Sequence, residues 1–162
     1  MKNRKLTRLK YWDYGSDGYY FITICTKNKR HYFGEIIDGK MILSHIGVIA
    51  NLLWYEIKNH TDNIELGEFI VMPNHIHGVL ILNNNANTVE ARHASPLQQT
   101  ISSIVGSYKS AVSKHAHRLD FDFTWQRNFY DHVIRDEVSN QKIAEYVVNN
   151  PIKWEDDLFY NL

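Results

Sequence analysis

Only one cysteine, Cys25, occurs in the 162 residues, so the chain has no internal disulfide and no cluster of thiolates with which to hold a structural zinc. Apolar runs are short as well. None reaches the roughly 18 residues that a membrane helix needs, and a membrane partner is therefore not expected. A surplus of either charge is also missing: 18 basic side chains face 18 acidic ones, without the basic excess that phosphate binding usually leaves in a composition. The charged N-terminus lacks the pattern of a secretory leader. Together these absences point to a cytoplasmic chain. With 44% apolar residues it has enough material for one core, and the expectation is a single domain over 1–162.

The charges are unevenly spread. Residues 1–10 hold Lys2, Arg4, Lys5, Arg8 and Lys10 with no acid, which suggests a basic arm over about 1–15. Residues 91–119 hold Arg92, Lys109, Lys114 and Arg118 with three histidines and again no acid. Acids gather elsewhere, as in Glu155-Asp156-Asp157. Solvated surfaces account for such runs unless something else corroborates a partner.

The densest chemistry lies in Val71-Met72-Pro73-Asn74-His75-Ile76-His77-Gly78-Val79-Leu80-Ile81-Leu82. In a strand, side chains two apart point the same way, so His75 and His77 share a face while Ile76 packs behind them. Two neutral imidazoles then converge on one point, as a metal site requires. A carboxylate, an amide or a third histidine must complete such a site, and oxygen donors would favour magnesium or manganese. His115-Ala116-His117 repeats the spacing within a helical stretch, where the rings are turned about 200° apart, and is the weaker candidate.

Strand and helix periods alternate along the chain. Tyr19 to Thr26 reads as a buried strand, and Phe33 to Leu43 as a hairpin turning at Asp38-Gly39. Ser44 caps a helix from about His45 to Asn59, with Ile46, Ile49, Leu53 and Ile57 at helical spacing. Strands follow at Ile64 to Met72 and His75 to Leu82. Residues 83–96 lack periodicity and read as a mobile loop. A long amphipathic helix is expected over Leu97 to Leu119, a strand over Trp125 to Arg135, and a last helix over Glu137 to Asn150, stopped by Pro151. That order is consistent with an α+β, ferredoxin-like (RRM-like) antiparallel sheet, with helices on one face and the histidine strand central.

On the last helix Tyr146 and Asn150 stand four apart and share a face. Asn150 before a proline also suits a plain helix end, and Tyr146 a plain core position. If their face meets the histidines, a hydroxyl and an amide oxygen join the imidazoles.

Three segments taken together, V-M-P-N-H-I-H-G, W-Q-R-N-F-Y-D-H-V-I-R and Y-V-V-N-N-P-x-x-W, resemble the REP-associated tyrosine transposases. These are IS200-like, single-tyrosine members of the HUH superfamily, and Phe33-Gly34-Glu35 and Tyr-Tyr-Phe-Ile-Thr-Ile-Cys-Thr are similar to the family's early strands. The resemblance implies that His75 and His77 are the metal pair, Asn150 the polar third ligand and Tyr146 the nucleophile. It implies an endonuclease and strand transferase active on single-stranded and hairpin DNA in transposition. It further implies a 5′-phosphotyrosine intermediate, with Mg²⁺ or Mn²⁺ as the expected cofactor. Gln126, Arg127 and Asn128, with Lys109, Lys114 and Arg135 as phosphate partners, are the expected DNA contacts. By the same resemblance the protein is expected to be a monomer or a homodimer.

Three rivals remain. A non-catalytic single-strand binder of RRM-like fold leaves the histidines unused and lacks the aromatic signature of that class. A zinc hydrolase would need a further histidine or a carboxylate and would leave no covalent product. A replication initiator or relaxase-like nickase shares the chemistry and differs in biology.

Overall fold

A computed structural model of the chain describes residues 12–83 and 99–160. Most of the basic arm, and the loop expected at about 83–96 from residue 84 onward, lie outside the described residues.

The strand β1 spans Gly18–Cys25, and the hairpin β2 Gly34–Ile37 and β3 Lys40–Leu43 follows it. Then come α1 His45–His60, β4 Ile64–Met72, β5 His75–Leu82, α2 Ile101–Arg118, β6 Tyr130–Ile134 and α3 Glu137–Asn149. Four strands make one sheet in the order β4-β5-β1-β6, every neighbour antiparallel. With the hairpin set aside this is the βαββαβ sequence of the ferredoxin-like fold, as expected, and β5 lies inside the sheet.

Alternation divides the sheet into two faces. Tyr20, Ile22 and Ile24 of β1 and Ile76 and Leu80 of β5 are completely buried on one of them. Against that face pack Ala50 and Trp54 of α1 and Ile101, Ile104, Val105 and Val112 of α2. On α1 the most buried residues are Ile46, Ala50, Trp54 and Ile57, whereas Ile49 and Leu53, expected in the apolar stripe, are only partly buried. Gly78 sets this rotation, because a Cβ there would stand 2.2 Å from Cζ2 of Trp54. Its absence lets the indole lie on β5, stacked on Phe69 with centroids 4.6 Å apart. Tyr108 then ties the two helices together by donating to the carbonyl of Ala50 at 2.8 Å.

Two boundaries differ from the sequence reading. The helix α2 starts at Ile101, since Thr100 is its cap and exchanges hydrogen bonds with Ser103. The strand β6 begins at Tyr130, with Trp125 joined to the sheet only by a bridge to Thr26. Between them the carbonyls of Gln126 and Arg127 are taken by Nζ of Lys109, at 2.7 and 3.0 Å, and leave the ladder.

Helices α1 and α2 lie together on the apolar face. The third helix, capped by Asp136 through Ser139 N at 2.8 Å, instead reaches the opposite face, where Tyr146 meets Phe21 and His77. No helix of the described residues is long and apolar enough to cross a membrane.

Candidate metal and tyrosine site

The register of β1 against β5 pairs Cys25 with His75 and Thr23 with His77, so these four residues share the face away from α1 and α2. The two imidazoles are buried, with ring centroids 4.4 Å apart. Each has one nitrogen already engaged. Nδ1 of His75 lies 2.8 Å from Oδ1 of Asn74, and Nδ1 of His77 lies 2.8 Å from Oγ1 of Thr23.

Asn74 determines the tautomer of His75. Its Nδ2 donates to the carbonyls of Lys29 and Phe159, at 3.2 and 2.8 Å, which leaves Oδ1 as an acceptor only. The proton of His75 therefore sits on Nδ1, and Nε2 presents its lone pair to the site. That Nε2 is buried with no hydrogen-bond partner among the described residues. Burial, then the neighbouring His77 and Lys29, pushes the pKa of His75 well below the usual histidine value. Burial brings His77 down to about 4, against an upward pull from Asp157. Both rings are thus neutral at neutral pH, the charge state in which an imidazole can ligate a metal.

Over them lies α3. Tyr146 donates from its hydroxyl to Oδ2 of Asp157 at 2.9 Å, and the same oxygen is 3.2 Å from Nε2 of His77. Its phenol is pushed up to about 12 by burial, by the charge of Asp157 and by the bond to that carboxylate, with Asn150 pulling the other way. One turn on, Asn150 is buried. Its Nδ2 donates to Oδ2 of Asp157 at 2.9 Å, while its Oδ1 has no partner among the described residues.

Asp157 is the member that sequence reasoning missed. A ligand atom from each of His75, His77 and Asp157 lies within 4.8 Å of the others. A single turn, Trp154–Asp156, folds the chain back after Pro151, and Phe159 N donates to Oδ1 of Asp157 at 2.7 Å. The Phe159 and Trp154 rings then stand 4.7 and 6.0 Å from His75. The only hint in the sequence was the acidic run Glu155-Asp156-Asp157, whose spacing carries no periodic signal.

These donors fit a divalent cation. Two buried lone pairs, on Nε2 of His75 and Oδ1 of Asn150, each cost about 1–3 kcal/mol if left unpaired, and a carboxylate stands beside them. The second histidine pair does not form a site: Nε2 of His117 binds the carbonyl of Phe123 at 2.8 Å, and His115 lies in the cleft between α1 and α2.

The six expected DNA contacts are not gathered at the histidines. Gln126, Arg127, Asn128 and Lys109 cluster beside the start of β6, where Gln126 N donates to the carbonyl of Cys25 at 2.9 Å. Arg127 and Asn128 are exposed. Lys109 is half-buried, its pKa lowered by desolvation, and it holds the loop carbonyls. Lys114 is exposed farther along α2, and Arg135 lies over the Trp12 ring, 5.7 Å from its centroid, past the far end of β6.

No protein-family model matches the chain. An uncharacterized protein of Haemophilus influenzae is 40% identical to it over 171 aligned positions, which cover 98% of this chain and 93% of that one. Among solved structures, that of a REP-associated tyrosine transposase bound to a REP hairpin matches with a TM-score of 0.63 at 19% identity, over 91% of this chain and 74% of that one. The chain thus belongs to one family with the Haemophilus influenzae protein, and its fold is that of the REP-associated tyrosine transposase.

Proposed function

We propose that this protein is a transposase-type endonuclease and strand transferase that acts on single-stranded, hairpin-forming DNA. The observation that carries the reading is the hydroxyl of Tyr146, 3.2 Å from Nε2 of His77, at the edge of a cluster of buried and partly unpaired metal donors. His75 and His77 would hold the ion through Nε2, with Asp157 and Oδ1 of Asn150 supplying oxygen. A bound divalent ion supplies positive charge to the scissile phosphate. Imidazole donors favour manganese over magnesium in such a mixed site.

The Tyr146 oxygen attacks the phosphorus and forms the new P–O bond, while the bond from phosphorus to the 3′ oxygen breaks. The protein is left on the 5′ phosphate and the other strand ends in a 3′-hydroxyl. The phenolic proton leaves toward Asp157, its acceptor at 2.9 Å, and the departing 3′ oxygen takes up a proton. Because one phosphoester replaces another, a second 3′-hydroxyl can reverse the step and rejoin DNA. The motif that carries Tyr146 and Asn150 on one helical face keeps nucleophile and ligand one turn apart, as this attack needs.

Asp157 also favours a second reading. Two histidines and a carboxylate are a full protein set for a metal-activated water, and a hydrolase would use Tyr146 only as a hydrogen-bonding neighbour. The products separate the two. After incubation with hairpin oligonucleotides and Mn²⁺, the transferase leaves DNA attached to the peptide containing Tyr146, read by mass spectrometry after proteolysis. Cut DNA with free ends and no modified peptide would instead support the hydrolase.

A further inference from the structure

Gly106 sits inside α2, where glycine is the poorest helix former after proline, and nothing in the packing of the described residues requires it. It is exposed, and a Cβ built there meets no atom within 4 Å. The open space beside it belongs to a groove of about 340 Å³ between α2 and the segment entering β6, lined by Ser102, Gly106, Lys109, Arg127, Asn128 and Phe129.

We propose that this groove is a pocket for an unpaired nucleobase of the DNA strand whose phosphate reaches Tyr146, an inference that rests on the single-strand DNA reading above. Its lining has the matching chemistry. Arg127 offers a fork of donors, Asn128 and Ser102 both donate and accept, and Phe129 supplies an aromatic ring. A phosphate alone would have no use for the amide or the ring. None of these residues is acidic, whereas Glu56 lines the cleft between α1 and α2, Asp156 and Asp157 that beside Tyr146, and Asp136 and Glu137 that at the start of α3.

The groove is also pre-built. Lys109 pins the carbonyls of Gln126 and Arg127 to α2, so the wall that carries Arg127 and Asn128 is anchored. Gln126 is bonded to Cys25, and Cys25 is paired with His75. Two strand spacings, roughly 10 Å, therefore separate the backbone at the groove from that of the metal-binding strand. The groove lies on the α2 side of the sheet and Tyr146 on the other, so a strand with a base held there passes round the β6 edge to reach the hydroxyl. Having no side chain, Gly106 leaves the groove free for the base to approach the helix backbone.

The test sets stability against binding. Gly106→Ala and Gly106→Gln are compared with wild type by thermal melting. They are also compared by fluorescence anisotropy on labelled hairpin oligonucleotides with single-stranded flanks, in chelator so that only binding is read. An abasic site is stepped through the flank. The variants should melt a few degrees above wild type, and Gly106→Gln should bind at least tenfold more weakly. One abasic position should weaken wild type and have no further effect on Gly106→Gln. Equal affinity of wild type and both variants would overturn the groove while leaving the DNA reading intact. A loss that is the same for every abasic position would overturn the base pocket in favour of a backbone contact. Wild type with no affinity for any hairpin would remove the DNA reading itself, and the groove with it.

Discussion

Asn74 follows Pro73 in the turn between β4 and β5, yet it sets the tautomer of the residue after it. Its amide is locked by two carbonyls, its oxygen fixes the proton of His75 on Nδ1, and the lone pair of Nε2 is freed as a result. Replacement by Ala removes that orientation without touching a ligand, so Asn74→Ala should weaken Mn²⁺ binding by roughly 10- to 100-fold in calorimetric titration. An unchanged affinity would mean that the ring is held by packing alone. The histidines also make the metal-free protein sensitive to acid. Their folded pKa values lie below the unfolded value of 6.5, near 4 for His77, so between those values the unfolded chain binds protons that the folded one refuses. Stability is intact above pH 6.5 and is lost as pH falls toward 4, with about 3 kcal/mol at stake for His77. Melts in chelator should show a lower Tm at pH 5 than at pH 7, and flat melting across that interval would contradict the neutral, buried pair.

At the scale of elements, the site joins one strand, one helix and one turn. The strand and the helix were legible in the sequence because their signals are local. The two-residue period puts His75 and His77 on one face, and the four-residue period aligns Tyr146 with Asn150. The fold followed from the same periods, apart from the limits of α2 and β6, which depend on where Thr100 caps and where Lys109 draws carbonyls away. Asp157 was hidden for the opposite reason. Its place depends on the turn after Pro151 and on Trp154 and Phe159 packing toward His75, contacts that span nearly half the chain. The bonds from Lys109 to the carbonyls of Gln126 and Arg127 were equally hidden, since no sequence period signals them. If the turn does supply a ligand, Asp157→Asn should lower Mn²⁺ affinity at least tenfold while thermal melting of the metal-free protein changes little. Retained affinity would leave Asn150 as the oxygen donor that matters.

Taken as a whole molecule, the protein packs two helices under the sheet and carries the candidate site on the other face, closed by α3 and the turn Trp154–Asp156. A net charge of zero conceals the basic residues 1–10, which carry five cations and no acid. Their deletion should weaken hairpin binding and flatten its dependence on salt, by about 0.7 in the logarithmic slope for each single-strand phosphate that is no longer neutralised. An unchanged slope would remove the arm from the interface. The central claim is that Tyr146 becomes joined to DNA at a metal site built on His75 and His77. It is tested most directly by covalent capture. Wild type and Tyr146→Phe are incubated with labelled hairpin oligonucleotides, with Mn²⁺, with Mg²⁺ or with chelator, and run on a denaturing gel. A shifted band with wild type and metal, absent with chelator and with Tyr146→Phe, is the predicted result. An adduct that persists in Tyr146→Phe, or DNA bound tightly and never captured by wild type in either metal, would contradict it.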